Sequence, residues 1–378
     1  MAEMAPRGQD VFFLPLSGSA ESAGAIPNHI LDLQSGLEAL GKALSLDGSA
    51  ASTWAMKVHL GPRNRPSAVD PGWANAVAEI LHASPAGKSA PRVFAFDTLS
   101  ITTQGLDKTA SHLELARNKG YATADGDLLY LVADGDGQGD GLAVTSPDDS
   151  TVEEHFLAGG LADATGLCVL TPVRPHPHVG FRGAVTTMGV GFADRASKIA
   201  LHRDIRPQVN TPLCAGCGMC LTVCLFDAIQ FSAGRAFIDH KQCTGCGECM
   251  NVCFMAGINP EEAAGIPYFQ AKVADAALMA RNRLTEGNGS RQVYFNFLVR
   301  LDRQAGGVRT RNRVRLGDVG ILVSRDPVAL DQATFDMISE RMGGQLSDWS
   351  GFAQLPDALL ARAEAIGLGG RAYNLLTV

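Results

Sequence analysis

A repeated cysteine pattern constrains the fold of this chain more than any other feature. Eight of the nine cysteines lie between Cys214 and Cys253. The first run reads CAGCGMCLTVC from Cys214 onward, and CTGCGECMNVC repeats its spacing from Cys243. Such dense clustering of cysteines, in a compartment that keeps thiols reduced, is typical of metal binding.

The spacing of each run, C-x2-C-x2-C-x3-C, is that of proteins that bind two [4Fe–4S] clusters, where the fourth cysteine of a run ligates the other cluster. Glycines inside each run allow a tight loop around such a cluster. Zinc in two four-cysteine sites is the alternative, but zinc usually pairs two C-x2-C knuckles across a longer gap. We therefore predict two [4Fe–4S] clusters, one held by Cys214, Cys217, Cys220 and Cys253, the other by Cys243, Cys246, Cys249 and Cys224.

Charge and composition argue against several classes of partner. The chain has 378 residues and a formal net charge of -7, so nucleic acid is not expected as its main partner. No apolar run reaches the roughly 18 residues that a membrane span needs, so no membrane partner is expected. The first residues lack the flanks of a signal peptide. These features predict a cytoplasmic protein.

The segments on either side of the cysteines alternate between strand-like and helix-like patterns. Apolar runs at 54–61, 92–98 and 167–173 predict strands, and the three- and four-residue periodicity at 30–44 and 72–83 predicts helices. This alternation is typical of an α/β fold with a mostly parallel sheet and flanking helices. We predict that a small α+β ferredoxin-like two-cluster domain at 207–260 is inserted between α/β segments at 1–206 and 261–378.

Charged side chains and histidines follow several of the predicted strands. In open α/β sheets, ligands bind beyond the carboxyl ends of the strands, so these residues are expected to share one rim. A histidine, lysine and aspartate group suits acid–base chemistry or an additional metal ion. Each residue alone also has a structural interpretation, such as a turn cap for Asp97. The candidates are Lys57, His59, Asp97, Asp134, Arg174 and His176, with Lys198 and His202 four residues apart on a predicted helix.

Several motifs resemble those of the family known as domain of unknown function 362. They include KVHLG at 57–61, HLELA at 112–116, the double cysteine run and DVGILVSRDPVALDQA at 318–333, in the same order. The resemblance implies pocket positions for His112 and Asp331 in addition to the rim residues. The chain departs from the family pattern at Arg174 and Thr186, where lysines are usual, and at Thr187, where asparagine is usual. These departures predict a diverged pocket with its own substrate.

The sequence is compatible with three functions. In the first, the chain is an iron–sulfur oxidoreductase in which two clusters relay electrons from an external donor of ferredoxin or flavodoxin type to a small-molecule substrate. His, Lys and Asp side chains would then transfer protons during reduction of a double bond or an aromatic ring. In the second, the chain is an electron-transfer or assembly partner without chemistry of its own. In the third, the clusters are structural and the pocket catalyses a non-redox reaction. Homo-oligomerisation also stays open.

Overall fold

An eight-stranded sheet with helices on both faces forms the body of the protein. The computed structural model describes residues 9–16, 36–37, 39–41, 44, 52–61, 69–82, 90–102, 105–122, 128–261, 264–301, 316–350 and 354–378. The predicted helix at 30–44 lies mostly outside these residues.

The elements before the cysteines follow the predicted alternation. The first group is β1 (Asp10–Pro15), β2 (Thr53–Lys57), α1 (Pro71–His82), β3 (Arg92–Asp97), α2 (Thr109–Asn118) and β4 (Leu129–Val132). The second group is β5 (Leu142–Ala143), β6 (Phe156–Leu157), β7 (Gly166–Pro172), β8 (Arg174–His176), β9 (Gly180–Arg182), α3 (Ala184–Gly191) and α4 (Arg195–His202).

The cysteine-rich segment and the chain after it complete the fold. The cysteine-rich segment contains β10 (Pro207–Val209), β11 (Ile229–Ser232), β12 (Arg235–Ile238), α5 (Glu248–Val252) and β13 (Ile258–Pro260). The remaining elements are α6 (Gly265–Thr285), β14 (Gln292–Leu298), β15 (Gly320–Ser324), α7 (Pro327–Met342), α8 (Leu346–Ser350), α9 (Asp357–Ala365) and β16 (Asn374–Thr377).

The large sheet has the strand order β16-β1-β15-β14-β7-β2-β3-β4. β15 pairs antiparallel with both β1 and β14, and the other neighbouring strands run parallel. The α/β prediction with a mostly parallel sheet is therefore confirmed. β2, β3 and β7 are adjacent, and this brings the ends of three strands with candidate residues to one edge.

Apolar side chains on successive strand positions point to opposite faces of the sheet. In β2, Ala55 packs into one buried cluster, whereas Trp54 and Met56 pack into the other. α3, α6 and α7 cover the first face, and α1 and α2 cover the second. Burial on both faces explains why the strands are nearly continuous apolar runs, as is usual for parallel sheets.

Local signals set the bounds of α7. Asp326 accepts hydrogen bonds from the amides of Val328 (2.9 Å) and Ala329 (3.0 Å), and Pro327 occupies the first turn. Gly343, with φ +59°, ends the helix in the left-handed conformation. An aspartate cap, an early proline and a final glycine are the expected residues at these positions.

The cysteine-rich segment leaves and rejoins the rest of the chain at one place. β10 and β13 pair antiparallel, with Pro207 opposite Pro260, and β11 and β12 form a separate hairpin. This pair lies at both predicted ends of the inserted domain, whose ferredoxin-like identity stays a prediction. Of the helices in the described part of the chain, none combines the length and apolar character needed to cross a bilayer.

Candidate active site

A cavity of about 250 Å³ opens at the carboxyl ends of β2 and β3. Five separate parts of the chain line it. They are the end of β2 near 57–59, residues 97–102 at the end of β3, the β8–β9 hairpin with α3, the last turns of α4, and residues 246–251 of the cysteine-rich segment. The structure therefore brings most of the predicted rim together in one place. The predicted candidates that line the cavity are Lys57, His59, Asp97, Arg174, His176, Lys198 and His202.

A buried ion pair joins the ends of β2 and β3. The Lys57 ammonium lies 2.5 Å from Oδ1 of Asp97, and both side chains are almost fully buried. Asp97 also accepts hydrogen bonds from the amides of Leu60 (3.0 Å) and Thr98 (2.8 Å). Burial alone would raise the pKa of the Asp97 carboxyl, but the Lys57 ammonium and nearby imidazoles hold that pKa well below its ordinary value. Asp97 is therefore ionised and orients Lys57.

Lys198 presents its ammonium to the cavity from α4. Asp194 caps that helix by accepting a hydrogen bond from the Ser197 amide (2.7 Å). The Lys198 ammonium donates to the Thr98 hydroxyl (2.6 Å) and to the Leu99 carbonyl (2.6 Å). Since an ammonium has three N–H groups, one is left for a ligand. Burial lowers the pKa of Lys198 to about 8, close to the range in which a lysine can act as a general acid.

Three histidines lie together on the side of the cavity that faces the cysteines. The His178 ring centroid is 5.6 Å from that of His176 and 6.5 Å from that of His202, and the His202 ring packs 4.6 Å from Phe269. Burial lowers the pKa of His178 to about 3 and that of His202 to about 4, and it also lowers the pKa of His176. The imidazoles are therefore neutral near pH 7. His178 was not among the predicted site residues.

Two predicted candidates lie behind the cavity wall. His112 Nε2 lies 2.9 Å from the Tyr130 hydroxyl and 3.9 Å from Oδ2 of Asp97. Asp134 accepts a hydrogen bond from the Leu99 amide at 2.7 Å. Neither residue lines the cavity. His112 lies beside Asp97, which does line it, and Asp134 binds the backbone between the lining residues Thr98 and Ser100.

Asp331, which the family resemblance implies for the pocket, also lies outside the lining. Its carboxylate accepts hydrogen bonds from the amides of Ala184 (2.7 Å) and Val185 (2.9 Å) and from the Asn296 side chain (2.8 Å). The carboxylate thus binds the first amides of α3, the usual place for an acidic partner of a helix. Asp331 positions the helix that carries part of the cavity wall.

Several cavity residues were missed by the sequence analysis or noticed only as departures from a family pattern. Arg182 ends β9 and lies opposite Arg174 in the β8–β9 hairpin. The one signal for His178 was its place beside His176 in the PHPH motif. The lining residues that were not predicted as site residues include His178, Arg182, Thr186, Thr187, Glu248 and Asn251.

The neighbours of two cysteine thiols fit the predicted ligand sets, which stay a prediction. Burial raises the thiol pKa of Cys220, and the neighbours that add to this effect are Cys214, Cys217 and Cys253. The corresponding neighbours of the Cys249 thiol are Cys246, Cys243, Cys220 and Cys224. Each fourth cysteine thus lies near the other run, and Cys220 lies where the two sets meet.

The surroundings of the sulfurs suit thiolate ligands. The Gly257 amide donates to Sγ of Cys253 (3.2 Å), and the Gly245 amide donates to Sγ of Cys243 (3.4 Å). Hydrogen bonds of this kind tune iron–sulfur clusters. Among the residues that the structure describes, no group of three or more His, Cys, Asp or Glu side chains meets the geometry of a metal-ion site.

The second cysteine run packs directly against the cavity. Cys246 lines the cavity, and its carbonyl oxygen lies 3.4 Å from Nε2 of His178. Gly247 has φ +76°, and a side chain at this position would meet the His178 ring. Cys217 of the first run is exposed instead. The two runs therefore face different surroundings, one the cavity and the other solvent.

Comparisons with known proteins identify a family without an assigned activity. No curated protein matches the sequence. The lactate racemase apoprotein from Thermoanaerobacterium thermosaccharolyticum is similar with a TM-score of 0.40 and 10% identity over 82% of this chain and 51% of that chain. A Thermotoga maritima protein from a structural genomics consortium is similar with a TM-score of 0.35 and 9% identity over 73% of this chain and 52% of that chain.

This chain spans about half the length of either solved protein. Similarity at this level is too distant to assign an activity. The model of the family described as domain of unknown function DUF362 matches residues 55–336, more than half of the sequence, and the chain belongs to that family.

Proposed function

We propose that this protein is a cytoplasmic iron–sulfur reductase that reduces a double bond or an aromatic ring of a small molecule. The observation that supports this most strongly is the shared wall of the cavity. Lys198 and Lys57 line it together with Cys246 of the second cysteine run. Proton donors and a ligand of an electron carrier thus reach the same space.

The cysteine ligands follow the two sets described above. Cys214, Cys217, Cys220 and Cys253 would hold one [4Fe–4S] cluster, and Cys243, Cys246, Cys249 and Cys224 would hold the other. The mutual proximity of each set and the amide hydrogen bonds to sulfur fit these groups. When bound, the clusters supply single electrons at low potential.

Lys198 is the best candidate for the proton donor. Reduction of a double bond consumes two electrons and two protons, and the Lys198 ammonium has an N–H group to give toward the cavity. Its pKa of about 8, lowered by burial, keeps it protonated at neutral pH while making it a stronger acid than an exposed lysine. The neutral imidazoles of His176 and His202 would orient the substrate and pass the second proton from solvent.

The electron donor would dock beside the first cysteine run. Cys217 is exposed there, and Leu213, Met219 and Leu221 are 44%, 41% and 39% exposed. Large apolar side chains are rarely left in water together unless they meet a partner. A small electron carrier of ferredoxin or flavodoxin type would suit this surface.

The test is turnover by the purified protein. The anaerobically prepared protein, supplied with reduced methyl viologen as its electron source, is expected to reduce members of a panel of unsaturated acids and amides, followed by product analysis. A His176→Ala/His202→Ala variant is expected to lose turnover while the absorption of the clusters persists. Absence of any product with the wild-type protein would favour a partner protein without chemistry of its own.

A further inference from the structure

The cavity carries more positive than negative side-chain charge. Among the described residues that line it are two lysines and two arginines, but only two carboxylates, those of Asp97 and Glu248. Asp97 is already paired with Lys57. An unbalanced positive charge away from water is unfavourable unless an anion accompanies it. The charge of the cavity therefore favours an anionic ligand.

Arg182 is the cation that this imbalance leaves available. Arg174, its neighbour across the β8–β9 hairpin, donates to the carbonyls of Val173 (2.6 Å) and Val299 (2.9 Å). Within the described part of the chain, the Arg182 guanidinium makes no hydrogen bond and no ion pair. Burial lowers the pKa of Arg182, and the charge of Asp97 partly opposes this. A guanidinium has five N–H donors in a planar fork, so its hydrogen bonds are open to a ligand.

Two hydroxyls lie close by in sequence, at the start of α3. The Oγ1 atoms of Thr186 and Thr187 are buried and have no hydrogen-bond partner among the described residues, and both residues line the cavity. Asp331 already binds the first amides of this helix, so the threonines are not needed as caps. A buried hydroxyl without a partner is unfavourable, and a ligand oxygen would satisfy both.

We propose that Arg182, Thr186 and Thr187 form a subsite for the carboxylate of a small anionic molecule. The fork of a guanidinium matches the two oxygens of a carboxylate, and the hydroxyls add two further donors. Lys198 and Cys246 line the same cavity. In this proposal, the group to be reduced lies beside these two residues while the carboxylate is held by Arg182 and the threonines. The subsite rests on the proposed function only in that the bound molecule is the substrate.

The experiment is calorimetric titration of the full-length protein with its clusters oxidised and no electron donor present. The probes are benzoate, crotonate and cinnamate, their neutral amides, and inorganic phosphate. At least one acid is expected to bind about tenfold or more tightly than its amide, since hydrogen bonds to charged groups are roughly twice as strong as neutral ones. Arg182→Gln is expected to abolish this preference, and Arg283→Gln, at an exposed position on α6, to preserve it.

Three results would overturn the subsite: no acid preferred over its amide, phosphate bound most tightly, or an unchanged preference in Arg182→Gln. Should that variant fail to fold, Thr187→Val gives the same test, with weaker binding of the acid and unchanged binding of the amide. The outcome is independent of turnover. A protein that binds carboxylates preferentially but reduces none would refute the reductase proposal alone. A protein that reduces the probes but binds acids and amides equally would refute the subsite alone.

Discussion

The cysteine-rich segment and the cavity beside it are assembled in opposite ways. All eight cysteines of the double run lie between positions 214 and 253, and their spacing indicates the ligand sets without knowledge of the fold. The cavity draws Lys57, Asp97 and Lys198 from three different elements, and these meet only because β2 and β3 are adjacent and α4 packs against their ends. A metal-ligand set can be local, whereas an acid–base site depends on the whole sheet.

The two regions meet at several places, among them a contact between His178 and the second cysteine run. His178 belongs to the α/β body, and its ring contacts the Cys246 carbonyl and the loop at Gly247. Substitutions in the cysteine-rich segment and substitutions in the α/β body therefore show how much each region contributes to iron binding, turnover and stability.

Removal of one cysteine ligand is expected to have the largest effect. Cys249→Ala should reduce the iron content from about eight to about four per chain and abolish turnover, because the second set loses a ligand. Cys168→Ala is the matched control, since Cys168 is a buried cysteine in β7 outside both runs. Iron analysis and turnover measure both. Full iron content in Cys249→Ala would contradict the ligand assignment.

Replacement of Lys198 tests the other region alone. Lys198→Met should lower kcat by roughly 10²- to 10⁴-fold, the usual contribution of a general acid, with full iron content. In the wild type, burial, partly opposed by Asp134, Asp97 and Asp194, sets the pKa of Lys198 at about 8. Since the ammonium is the acid form, kcat should fall as the pH rises through about 8. If kcat of the variant still falls as the pH rises through about 8, the titrating group is a residue other than Lys198.

Loss of the Asp97 carboxylate should act mainly on stability. Asp97→Asn leaves the buried Lys57 ammonium without its counter-ion, which should lower the free energy of unfolding by about 3 kcal/mol. The folded protein holds the pKa of Asp97 below its unfolded value, so this contribution is present above about pH 4 and is lost as the pH falls. Urea titration at several pH values measures it, with the exposed Asp136→Asn as control. Equal stability of the two variants would argue against the ion pair.

A pair of glycine variants tests the contact between the regions with the smallest expected effect. Gly247 (φ +76°) and Gly137 (φ +81°) both have positive φ, so alanine at either position should destabilise the protein by about 1 kcal/mol. Space around Gly137 is open, whereas an alanine at Gly247 would meet His178. Gly247→Ala should therefore lower the melting temperature further and reduce turnover. Identical behaviour of the two variants would mean that the loop does not depend on His178.

The sequence predicted those parts of the protein that depend on local pattern. The apolar runs at β2, β3 and β7 gave the sheet, and their final residues gave Lys57 and Asp97 as cavity candidates. Arg182 was missed because its position is set by the pairing of β8 with β9. These strands have only three residues each, which is too short for a periodic pattern to predict their pairing. His112 and Asp331 have chemistry suited to a site, but the packing of α2 and α7 places them behind the wall, and sequence alone does not distinguish one layer from the next.

The most direct test of the central claim is the metal and sulfide content of the anaerobically purified protein. Two clusters, of which the one held by the second cysteine run lies beside the cavity, require about eight irons and about eight inorganic sulfides per chain, with paramagnetic resonance signals after reduction. We expect that result, and we expect Cys168→Ala to match the wild type. About two zinc ions per chain without inorganic sulfide would contradict the account, because the cavity would then have no source of electrons in its wall.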